Sequence, residues 1–98
     1  MKTYCCKVAG VTFEGRQTII ARIESGDDIL LIPDPDNLYD SNAVKVVWRE
    51  KCVGFIPREL NGEIAVKMNG CSTPGFVMRT TGGTEDFPTL GLEIEFRI

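Results

Sequence analysis

The segment Asp34-Pro35-Asp36-Asn37-Leu38-Tyr39-Asp40-Ser41-Asn42 admits neither a helix nor a strand, and it dictates much of what the rest of the chain can do. Proline fixes φ and lacks the N–H that either ladder needs, while Asp and Asn side chains bond the backbone just ahead of them and hold turns. The run Ala43-Val44-Lys45-Val46-Val47-Trp48 begins directly afterwards and reads as a strand entered from a rigid polar corner. Two readings of that corner are open. Carboxylate, amide and phenol groups on a stiff loop lose little entropy on gripping a small polar group, so the corner suits a binding site. Alternatively, Asp36, Asn37 and Asp40 only satisfy the loop's own backbone groups.

The other segments are short and mostly extended. Tyr4 to Val11 reads as a strand, and Phe13-Glu14-Gly15-Arg16 interrupts it. Ile19, Ile20 and Ile23 then recur at helical spacing, predicting one or two turns of helix closed by Ser25-Gly26. Asp28 to Ile32 is an apolar strand stopped by Pro33, which cannot donate to a ladder. Ala43–Trp48 and Cys52–Ile56 flank Arg49-Glu50-Lys51 as a hairpin with a three-residue connection, Trp48 half buried at its end. Pro57-Arg58-Glu59 opens a helix of about ten residues, with Leu60, Ile64 and Met68 on one face and Asn69-Gly70 at its end. Phe76 to Thr81 returns to strand, and Gly82-Gly83 turns. Leu90 to Ile98 alternates strictly between Leu90, Leu92, Ile94, Phe96, Ile98 and Gly91, Glu93, Glu95, Arg97, the clearest strand in the chain. Five or six short strands with two small helices predict a mainly β, partly open OB-like barrel. The expectation is one domain over residues 1–98, since a chain this long buries about 60 to 65% of its unfolded surface in one modest core.

Composition narrows the chemistry. Eleven basic against fourteen acidic residues give a net charge of −3, so the chain does not coat nucleic acid by bulk electrostatics, and any such binding must be local. There is no histidine, and no Ser or Cys stands beside a plausible base. A non-catalytic module without cofactor is therefore expected. Carboxylate-held metal for nuclease chemistry, from Asp36 with Asp40 or Glu14, is the weakest reading. Cys5, Cys6, Cys52 and Cys71 do not make a zinc set, because the first two are adjacent and no histidine completes them. Met1 to Val11 does not read as a secretory signal and no apolar run approaches a membrane span, so a cytoplasmic address and free thiols are expected.

Val8-Ala9-Gly10-Val11-Thr12-Phe13-Glu14-Gly15-Arg16-Gln17, Asp34 to Val46, Val53-Gly54-Phe55-Ile56-Pro57-Arg58-Glu59-Leu60 and the tail from Gly82 to Ile94 together resemble the HIRAN domain family. Members occur alone in bacteria and phages and fused to SNF2-type ATPases in eukaryotes. The resemblance implies an OB-like barrel of about six strands and two helices. In the best understood members it also implies capture of the free 3′-hydroxyl end of single-stranded DNA beside fork-remodelling helicases. Carried over by match, the DNA-binding pocket is formed by Thr12, Phe13, Asn37, Tyr39, Asp40, Phe55 and Arg58. Asp40 is then the acceptor for a terminal hydroxyl, Phe13 and Tyr39 stack on bases, and Arg58, with Arg16 second, neutralises a phosphate. Those members carry a basic residue and two aromatics where this chain has Thr12, Phe13 and Glu14.

Two functions follow. The first is a module for single-stranded DNA 3′ ends in DNA repair or replication-fork processing, working with a helicase or nuclease partner and no membrane. The second is a protein-interaction module for a peptide or a DNA-processing enzyme, with the edge of the strand Ala43–Trp48 as one docking route.

Overall fold

A computed structural model describes all of residues 1–98. Six strands, β1 (Thr3–Lys7), β2 (Asp28–Pro33), β3 (Val44–Trp48), β4 (Lys51–Phe55), β5 (Thr73–Thr81) and β6 (Gly91–Arg97), are joined with two helices, α1 (Arg16–Ile20) and α2 (Arg58–Met68). The strands form one antiparallel sheet in the order β1-β6-β5-β2-β3-β4. The sheet curls until its two edges meet. Past the end of β1, Ala9 donates to the Phe55 carbonyl at 2.8 Å, and Phe55 donates back to Ala9 at 2.9 Å. That single pair joins the β1 side to β4 and closes a mainly β, OB-like half-barrel.

The closure needs a residue without a side chain at Gly54. A Cβ there would lie 2.4 Å from the Ala9 carbonyl oxygen and 2.4 Å from a Val8 methyl. Inside the curl, Leu31, Val44, Val46, Val53, Ile64, Val77 and Ile94 are fully buried. The period-2 pattern of β6 puts Leu92, Ile94 and Phe96 into this core as its sequence predicts. Helix α2 buries Asn61, Ile64 and Met68, with Leu60 at the margin of that face. It stops where Asn69 turns left-handed and donates its N–H to the Ala65 carbonyl, with Gly70 following at φ 81°. Lys67 Nζ donates to the Tyr4 hydroxyl at 2.9 Å and that hydroxyl donates to Glu63, tying α2 to β1, while Tyr4 stacks on Phe96.

Four expectations change. The β3–β4 connection has two residues, Arg49 and Glu50, both at positive φ (47° and 67°), because that turn matches the strand twist; Lys51 already pairs with Trp48. Trp48 is buried, 2% exposed, because Arg22 and Arg49 lie over its ring and its Nε1 donates to Asp27 at 3.1 Å. The first strand ends at Lys7, since the chain must leave β6 to reach Phe55. The strand Ala43–Trp48 offers no free edge: β3 is hydrogen-bonded to β2 on one side and β4 on the other, which removes that docking route. No helix is long and apolar enough to cross a membrane.

Candidate functional site

The seam that closes the barrel also shapes a well-formed hollow beside it. Ala9, Gly10 and Phe55 come from the seam, Phe13, Glu14 and Arg16 from the turn before and the start of α1, Asn37, Tyr39 and Asp40 from the polar corner, and Arg58 and Asn61 from α2. The volume is about 590 Å³, inside the roughly 300 to 1,000 Å³ usual for small-ligand sites.

The corner is rigid because Asn37 and Asp40 bond its own backbone. Asn37 Oδ1 accepts from the N–H groups of Tyr39 (2.9 Å) and Asp40 (3.1 Å), and its Nδ2 donates to Asp34 at 3.0 Å. Asn37 thus builds the loop even as it borders the hollow. The main chain is pinned at both ends, with Asp34 donating to Ala43 and Ala43 donating to the Asp40 carbonyl. Tyr39 and Leu38 are consequently turned outward, 87% and 94% exposed.

Asp40 satisfies the loop's own backbone and also borders the hollow. Its Oδ1 accepts the Asn42 N–H at 2.9 Å and its Oδ2 accepts Asn61 Nδ2 at 2.7 Å, with Arg58 Nε 3.5 Å from the same oxygen. A carboxylate offers about four acceptor positions, so these three partners do not saturate it. The Asn61 amide, then the Asn42 N–H, with the nearby Arg58 charge, hold the Asp40 carboxyl below the usual aspartate range. It is ionised at neutral pH.

Arg58 stands at the start of α2 with its side chain 75% exposed, steadied by Asp40 and by a 3.3 Å bond from Nη2 to the Tyr39 carbonyl. Most of its donors face solvent. Phe13, 65% exposed, borders the same hollow as Tyr39, and exposed aromatics beside a cavity are a common mark of a contact surface. Phe55 lies on the floor, half buried beneath the Arg16 guanidinium, whose centre is 5.3 Å from the ring centroid.

Six of the seven residues proposed from sequence therefore converge: Phe13, Asn37, Tyr39, Asp40, Phe55 and Arg58 line one hollow. Thr12 is exposed and does not line it. Asn61 is the residue that sequence reasoning missed. It is 5% exposed and orients Asp40, and its signal in the sequence was a polar residue inside the apolar face of α2, one position from Leu60. No group of three or more His, Cys, Asp or Glu side chains is placed to hold a metal ion.

No curated protein matches this sequence. Among solved structures, the HIRAN domain of human HLTF superposes with a TM-score of 0.67 at 28% identity, over 96% of this chain and 74% of that one. A protein from Lactobacillus plantarum superposes with a TM-score of 0.71 at 21% identity, over 97% of each chain, and shares the fold. The sequence pattern of the HIRAN domain matches residues 2–86, a span that holds the seam, the polar corner, α2 and every residue bordering the hollow. With nearly its whole length matched, the chain belongs to the HIRAN domain family.

Proposed function

We propose that the protein is a non-catalytic module that receives the 3′-hydroxyl end of single-stranded DNA in the hollow between Phe13, Tyr39 and Asp40. HIRAN domains are nucleic-acid-binding modules, which supports a strand as the ligand. The observation that carries the reading is that two exposed rings and a fixed, ionised carboxylate border one hollow.

Each part has a physical role. Phe13 and Tyr39 stack on terminal bases at about 1 to 3 kcal/mol per base, with no demand on base identity. Asp40 accepts the terminal hydroxyl, and a 3′-phosphate in its place brings negative charge against the carboxylate. Arg58 meets a backbone phosphate. A net charge of −3 gives no general attraction to DNA, so the end is held by local contacts, in keeping with a role at repair or replication intermediates beside a helicase or nuclease. Anisotropy with otherwise identical labelled oligonucleotides tests the reading: the 3′-hydroxyl form binds more tightly than the 3′-phosphate form, and Asp40→Ala abolishes the difference. Equal affinity for the two ends, or an Asp40→Ala variant that still discriminates, overturns it.

A further inference from the structure

The hollow is also bordered by Arg16, a cation that the end-capture reading ranks only second to Arg58. Arg16 is 7% exposed, lies over Phe55, and donates from Nη1 to the Gly10 carbonyl at 2.7 Å. Its other side-chain partner is Glu14, with Nη2 3.4 Å from Oε2. A guanidinium carries about five N–H donors in a planar fork suited to two oxygens of one anion, and Arg16 borders the cavity. Its capacity for an anion is largely unspent.

Glu14 is an odd residue in its place. Its side chain is 80% exposed, so packing does not hold it, and its backbone takes φ 54°, a left-handed conformation that residues with a Cβ rarely adopt. What the position accomplishes is to suspend a carboxylate over Arg16 at the cavity rim. The contact is long for a charge-assisted bond, which normally measures about 2.7 to 2.9 Å, and an exposed carboxylate is easily returned to water. Phosphate oxygens fit the same fork in a bidentate manner. We propose that Arg16 is a phosphate subsite at the base of the hollow, and that Glu14 fills it in the free protein as an internal carboxylate which an incoming nucleotide phosphate displaces. This rests on reading the hollow as a strand-end site. Glu14 then acts as a brake: it competes for Arg16 and, once displaced, remains beside the phosphate as a like charge.

Glu14→Gln and Glu14→Gly test it together, the second because glycine takes φ 54° without strain and so folds at least as well. With a 3′-hydroxyl oligonucleotide, both variants bind about 5-fold more tightly at low salt, the scale of one surface ion pair. The log–log salt slope steepens by about 0.7, as one added single-strand phosphate contact requires. In parallel, inorganic phosphate is titrated into all three proteins while the Arg16 Nε–Hε NMR resonance is followed. It moves in the variants at concentrations that leave the wild type unchanged. Unaltered affinity and slope in both variants, with an Arg16 resonance indifferent to phosphate, overturn the proposal. If none of the three proteins binds the oligonucleotide, end capture itself fails, and the phosphate titration alone decides the Arg16 subsite.

Discussion

Placing a methyl group at Gly54 attacks the seam on which both barrel and hollow depend. The added Cβ meets the Ala9 carbonyl oxygen at 2.4 Å and a buried Val8 methyl at 2.4 Å, which leaves it nowhere to go. Relief requires separating Ala9 from Phe55, which breaks the hydrogen bonds of 2.8 and 2.9 Å between them. Two such bonds contribute about 1 kcal/mol each, and overpacking a filled site adds about 1 to 3 kcal/mol, for a loss of about 3 to 5 kcal/mol. Against a total stability of about 5 to 15 kcal/mol for this length, that is a large share. At roughly 5 °C per kcal/mol, Gly54→Ala melts about 15 to 25 °C lower by circular dichroism. Gly62→Ala is the internal control. It lies inside α2, its nearest foreign atom is the Asn42 amide nitrogen at 3.8 Å, and removing a helical glycine stabilises by about 0.5 to 1 kcal/mol. Urea titration of both variants separates a true stability change from a change in the unfolded chain, since the m-value moves only in the second case. A Gly54→Ala protein that loses less than about 1 kcal/mol refutes the claim that this seam holds the barrel closed.

Other expectations follow from the same geometry. Phe13→Ala and Tyr39→Ala each weaken oligonucleotide binding by about 1 to 3 kcal/mol yet leave the melting temperature nearly unchanged, because both rings are exposed in the free protein. The folded state lowers the Asp40 pKa, so its contribution to stability is fully present above the ordinary aspartate value of 3.8 and is lost only as pH falls through the depressed value; an NMR pH titration of Asp40 and of the melting temperature reads this. Asp40 accordingly stays ionised from mildly acidic to neutral pH, and affinity for the 3′-hydroxyl end is constant over that range. Burial pushes the Cys6 thiol up to about 11, so an aromatic disulfide reagent near pH 8 modifies exposed Cys71 well before half-buried Cys6.

Local chemistry made much of the fold readable. The alternation in β6, the stop at Asn69-Gly70 and the turn-forming corner are each decided by residues within a few positions, and the structure keeps them. What escaped was set by distant parts of the chain. Trp48 reads as half buried because nothing nearby in sequence reveals that Arg22 covers its ring. The strand Ala43–Trp48 reads as exposed because strand order is fixed by the wrap of the whole sheet, not by the strand's own residues. The site divides in the same way. Tyr39, Asp40 and Arg58 stand in compact motifs and could be named, whereas Asn61 matters only through a bond spanning 21 positions to Asp40. Arg16 was visible as a charge, but its place beneath the hollow depends on Phe55 arriving from the far side of the seam.

The central claim is one of place: the hollow at the seam, and no other face, meets the end of a strand. Amide and side-chain NMR during titration with a short unlabelled 3′-hydroxyl oligonucleotide tests that most directly. Shifts confined to Phe13, Asn37, Tyr39, Asp40, Phe55 and Arg58, with Leu30, Val47 and Cys52 on the outer face of the sheet unmoved, are the expected result. Shifts centred on that outer face, with the hollow silent, would contradict it.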